Sequence, residues 1–214
     1  MSDSYAGKLL VASPSVVDPL FGRSVCLVMH HDEDGAIGVL LNRPLQSGPA
    51  ALLKMLGVKP APGASPAGGS SRFTMASPPA SSAGMTSGGE SARRAVHFGG
   101  PHSGPVVALH GQRDLAEAET GAGVYVAAQK EHLEELVKPG LTGPMRLIVG
   151  HAAWQSGQLE AEIEAGLWYL LPATADRVFE SDDSMWHHLV RTGVGHKLAS
   201  WVGIDDTHVD PHTN

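Results

Sequence analysis

Cysteine is almost absent from this chain: Cys26 stands alone, inside the apolar run VCLVM. No intrachain disulfide can form, so a reducing compartment is the simpler setting. A buried structural thiol is the expected state of that side chain. Positive charge is also in deficit. Fifteen Lys and Arg against 22 Asp and Glu leave a formal charge of −7, which opposes phosphate backbones, because nonspecific nucleic-acid affinity comes largely from Lys and Arg. Arg93 and Arg94 are an isolated basic pair and read as a loop edge. Long apolar runs are missing too. None approaches the ~18 residues needed to span a bilayer, and MSDSYAGKLLVASPS lacks the basic start and apolar core of a secretory signal. A soluble, cytoplasmic protein is expected, with no membrane and no direct nucleic-acid partner.

What is present suits one globular domain. The 214 residues are 42% apolar and 17% charged, enough to bury a sizeable core. Six of the 26 Gly and five of the 15 Pro fall in residues 59–92, where Pro, Gly, Ser and Ala leave few large apolar side chains to offset ordering entropy. The chain is therefore read as a single domain over 1–204, interrupted by a disordered insert at 59–92, with a frayed tail at 205–214.

Lys8 to Ala12 reads as a strand, and Asp18 before Pro19 as a capped turn with Arg23 in reach of Asp18. Ser24 to His31 and Ala36 to Asn42 form a hairpin around DEDG, with Asp34 and Gly35 tolerating positive φ. GPAALLKMLG suggests a short helix. Further strands are expected at Ala95 to Phe98, Val106 to His110, Val124 to Ala127, Met145 to Val149 and LWYLLP. Helices are expected at Gln129 to Lys138, Gly157 to Ala165, and Ser184 to Thr192 with Gly193 behind it. Strands alternating with short helices indicate an α/β layered sandwich with a mixed sheet.

Four segments taken in order, GKLLVASPSVVDPLFGRSV, HDEDGAIGVLLNRPL, HFGGP and GHAAWQSGQLEAEIEAGLWYLLPA, resemble the AlgH/YqgE family of bacterial proteins. The resemblance implies a compact α/β sandwich from bacterial cytoplasm and no established activity, although some members carry a transcriptional-regulator label. Two positions depart from the family pattern. His102 stands where valine is common, and Ala153 where glycine is.

Candidate site groups cluster at expected strand ends and helix starts, where α/β sheets place clefts: His31, Asn42, Gly99, Gly100, His151, Trp154, Gln158 and Glu160. Each also has a structural reading. Asn42 can satisfy loop backbone, the Gly99–Gly100 pair can make a tight turn instead of a phosphate loop, Trp154 can be core, and Glu160 suits a helix start. Ser156 reads as a helix N-cap, not a nucleophile, with no G-x-S-x-G around it. Adjacent pairs His30–His31 and His187–His188 point apart and do not converge on a metal. The expectation is a non-catalytic binding or regulatory protein, without cofactor or metal, recognising a small molecule or a protein. The alternative is a hydrolase with His31 or His151 as base and Glu160 as its carboxylate.

Overall fold

The computed structural model describes residues 4–45, 96–138 and 141–202. The expected GPAALLKMLG helix, the insert at 59–92, the Arg93–Arg94 pair and the tail at 205–214 lie outside the described residues. Among the described residues nine strands run β1 (Lys8–Ala12), β2 (Val25–Asp32), β3 (Gly35–Leu40), β4 (Val96–Phe98), β5 (His102–His110), β6 (Ala118–Gly121), β7 (Val124–Ala127), β8 (Met145–Gln155) and β9 (Trp168–Pro172). The helices are α1 (Lys130–Leu136), α2 (Gln158–Glu164), α3 (Ala175–Val178) and α4 (Asp182–Val202). None of them is long and apolar enough to cross a membrane.

Among the described residues the strands form one curled sheet in the order β6-β7-β5-β8-β3-β2-β1-β9, with neighbouring strands antiparallel, and β4 pairs parallel with β8. β8 is the spine: its first half pairs with β4 and β5 and its second half with β3. The sheet's ends approach each other where Ala122 N donates to Ala173 O at 2.9 Å and Ala175 N to Ala122 O at 3.0 Å.

Curling gives the sheet an inner and an outer surface. Inside lie Leu9, Val25, Leu27, Val39, Leu109, Ile148 and Leu171, plugged by Met185, Trp186 and Leu189 of α4. Outside, α2 and the Asp18 turn cover Leu10, Cys26, Val28, Leu40, Trp154 and Trp168, while Leu133 and Leu136 of α1 cover Val96, Val106 and Leu147. Each fully buried aliphatic side chain contributes about 1.5–3 kcal/mol. The near-continuous apolar arms of the first hairpin follow from this burial on both faces.

Several local expectations need correction. Asp34 has no positive φ; Gly35 alone takes that role, at 139°. The strand at Met145 does not stop at Val149, because residues beyond Gly150 find a partner in β3, so His151 and Trp154 stand on β8 and not at a helix start. Gly157, at φ 73°, is the cap residue of α2, while the Ser156 hydroxyl donates to Glu33 O at 2.6 Å. Gly193 does not end the last helix, which runs on to Val202. Its missing side chain makes room for Tyr169, whose Cβ would lie 2.6 Å from an added Cβ. Asp18 does cap its turn, accepting from Leu20 N and Phe21 N at 2.8 Å, but the Arg23 guanidinium lies over the Trp186 ring instead. β6, short and lacking large apolar residues, had no pattern to announce it.

Beneath α1, His110 is fully buried, its Nε2 without a hydrogen-bond partner among the described residues, while its Nδ1 accepts from Gln112 N at 3.2 Å. Burial lowers its pKa, and the opposing influence of Glu117 does not reverse this. The unfolded chain therefore takes up the proton first. Stability is full above the ordinary histidine value of about 6.5 and falls as pH drops below it, until the folded form also protonates. Melting temperatures measured from pH 8 to 5 should show this decline, and His110→Phe should remove that part of it.

Candidate functional site

The expected constellation resolves into separate groups. His31 and Glu160 do meet. A register shift between Val28 and His30 re-aims the end of β2, a known effect of bulges, and puts His31 in one cross-strand row with Ala36 and Trp154 beneath α2. His31 Nδ1 accepts from Tyr5 N at 3.1 Å, so the ring proton sits on Nε2 and is donated to Glu160 Oε1 at 2.6 Å. The imidazole is 5% exposed. Glu160 is held below the usual carboxylate range, first by its own backbone N–H and then by His31. Both ring nitrogens are thus engaged, and the pair fastens the N-terminal segment, β2 and α2 together.

Trp154 and Gln158 come together around a residue that the sequence reading passed over, Glu162. Its Oε2 accepts from the indole N–H of Trp154 at 2.9 Å and of Trp168 at 2.8 Å, and its Oε1 from Gln158 Nε2 at 2.9 Å. The two indoles meet edge to face at 6.3 Å, with Phe21 against both. Helix phase explains the division of labour: residues 158 and 162 share a face, whereas 160 is about 200° round from each. Trp154, 6% exposed, is core.

Asn42 is occupied by backbone, accepting from Val25 N and donating to Arg23 O, both at 2.9 Å. Arg43 beside it donates to Leu20 O and Gly22 O, and burial lowers its pKa. Gly99 and Gly100 are a close crossing. Added Cβ atoms would lie 2.2 Å from Gly150 O and 2.2 Å from the His151 carbonyl carbon, respectively, while Gly99 N donates to Val149 O and Leu40 N to Gly99 O at 2.8 Å. His151 lies away from Glu160, against His102. Cys26 is fully buried, and desolvation pushes its thiol pKa up.

A second network was not anticipated. Arg146, 5% exposed on β8, donates to Val178 O at 2.7 Å, Leu41 O at 3.0 Å, Glu180 O and the Asp182 carboxylate, and its Nη1 lies 2.7 Å from His97 Nε2. His97 Nε2 is 3.0 Å from the other Asp182 oxygen. Burial raises the Asp182 pKa, but His97 and Arg146 together outweigh this and lower it. An arginine inside MRLIV was the signal available in the sequence; its partners lie far along the chain.

Concavity appears elsewhere. A cleft of about 380 Å³ opens where the sheet's ends approach, lined by Ala6, Gly7 and Met29 on one side and by Ala118 to Gly121 and Val126 on the other. Among the described residues, β6 pairs only with β7.

The same architecture recurs in known proteins. A UPF0301 protein of Chlorobaculum tepidum is 31% identical over 195 residues, covering 88% of this chain and 87% of the relative. Another UPF0301 protein, from Stenotrophomonas maltophilia, is 32% identical over 182 residues, with 83% and 82% covered. The solution structure of the AlgH protein from Pseudomonas aeruginosa superimposes with a TM-score of 0.61 at 22% identity, over 98% of this chain and 99% of that one. That likeness bears on the fold, a mixed α/β arrangement around a curled antiparallel sheet. A family profile described as AlgH-like matches residues 9–197, so the chain belongs to the AlgH-like family of uncharacterised bacterial proteins.

Proposed function

We propose that the chain is a non-catalytic binding protein of the bacterial cytosol, which takes a small molecule or an extended peptide from a partner in the cleft beside β6. The cleft itself carries this reading. Its volume of about 380 Å³ falls within the span of small-ligand pockets, roughly 300–1,000 Å³. Its lining is mostly apolar, with Thr120 and Glu119 as its polar residues. Among the described residues the outer edge of β6 pairs with no other strand, and its backbone groups are of the kind to which an extended chain can add.

The hydrolase alternative needs an imidazole lone pair open to solvent and backed by a carboxylate. His31 has the carboxylate without the lone pair. His151 has no ionic partner among the described residues. A regulatory role, which the family label suggests, would be exercised through this ligand or partner and not by direct contact with nucleic acid, given the net charge of −7.

A thermal-shift screen against cellular metabolites and short extended peptides tests the proposal. A compound at 100 times its dissociation constant should stabilise by about 2.7 kcal/mol, and Ala118→Phe, which fills the cleft, should abolish that gain. Stabilisation indifferent to Ala118→Phe would refute the cleft. Turnover of a defined substrate, lost in His31→Gln, would establish the enzyme instead.

A further inference from the structure

His102 and His151 are direct cross-strand partners on β5 and β8, with ring centroids 5.6 Å apart and planes inclined by 31°. Five histidines, His30, His31, His97, His132 and His188, each face a carboxylate, whereas neither His102 nor His151 has a side-chain hydrogen-bond or ionic partner among the described residues.

The backbone is specialised around this pair. β5 slips register between His102 and Val106, and β8 passes through Gly150 at φ 80°, where an added Cβ would come within 2.9 Å of His102 O. Gly104 keeps the space over the second ring clear, since a Cβ there would sit 2.9 Å from His151 Nδ1. His102 is exposed and His151 half-buried, so solvent reaches the pair. Bulges and positive-φ glycines are devices that re-aim side chains.

Two neutral imidazoles in this relation are donors for a borderline divalent cation. Metal–nitrogen bonds of about 2.0–2.1 Å, opened to a tetrahedral-type angle, put two ring centroids about 5–6 Å apart. We propose that His102 and His151 form a two-imidazole clamp for Zn2+ or Cu2+, with water in the remaining coordination positions. No third His, Cys, Asp or Glu joins them among the described residues, so the bound ion keeps open positions for an exogenous ligand. Affinity should follow the order Cu2+ above Zn2+. The adjacent-histidine pairs in the sequence could not suggest this site, because its ligands come from separate strands.

Cu2+ electron paramagnetic resonance and calorimetric titration with Cu2+ and Zn2+ on the full chain provide the test. The wild type should bind one ion at this site, with hyperfine structure from two nitrogens. His102→Val, a β-compatible change at an exposed position, and His151→Gln should each weaken that binding at least tenfold and leave the circular dichroism spectrum unchanged. His188→Gln should leave the two-nitrogen signal intact. Zn2+ should also raise the melting temperature of the wild type but not of either variant, because the ion fastens β5 to β8. A two-nitrogen signal that survives both single substitutions, or its absence from the wild type, would overturn the proposal.

Discussion

Arg146→Met is expected to cost about 3–5 kcal/mol of folding stability, the range for removing one partner of a buried ion pair. Methionine keeps the aliphatic stem on β8, so packing is largely retained and the loss falls on polar partners. The carbonyls of Leu41, Val178 and Glu180 lose this donor, and the Asp182 carboxylate loses its arginine and keeps His97. Against a total of about 5–15 kcal/mol for a domain, this is a large fraction. Arg146→Lys should fare only partly better, since one ammonium cannot reproduce a planar fork that reaches this many acceptors. Urea denaturation gives both midpoints. A shift below about 1 kcal/mol for Arg146→Met would mean that the junction between α3 and α4 is not held from β8.

The contrast between this network and the α2 cluster shows where sequence reading succeeds. Hydrophobic runs and turn residues place the first hairpin, β9, α1 and α2, because their pattern is local. Gln158 and Glu162 are one helical turn apart, so their shared face was readable. That Glu162 also receives Trp168 depends on how β9 returns beside β1, which no local pattern contains. Residue types alone offer His31 and Glu160 as an acid–base pair, and the two do meet. What the sequence could not supply was the Tyr5 amide on the second nitrogen, which makes the pair a fastener. His97, Arg146 and Asp182 lie on three elements, and only the odd presence of a charge in an apolar strand hinted at them. Gly150 concealed the length of β8: glycine suggested an end, whereas its φ of 80° lets the strand change direction and continue to β3.

Gly100→Ala and Gly99→Ala are expected to destabilise by about 3 kcal/mol or more each, from overpacking against atoms that cannot yield. The added Cβ of residue 100 would lie 2.2 Å from the His151 carbonyl carbon and 2.4 Å from Ala152 N, at a φ of 151°, a region essentially reserved for glycine. At residue 99 it would meet Gly150 O at 2.2 Å and Ile148 Cγ2 at 2.5 Å. These neighbours are fixed from both sides, since β8 is paired with β5 and β3 along this stretch. Gly157→Ala is the informative control. It shares a positive φ, 73°, but nothing lies within 4 Å of the new Cβ, so only the conformational cost of roughly 1–2 kcal/mol remains. Chemical denaturation of the three variants separates steric closure from backbone preference. It also decides what the FGGP turn is for. A phosphate-cradling loop would tolerate alanine in the fold and lose anion binding, whereas a crossing that joins β3, β4 and β8 loses the fold itself.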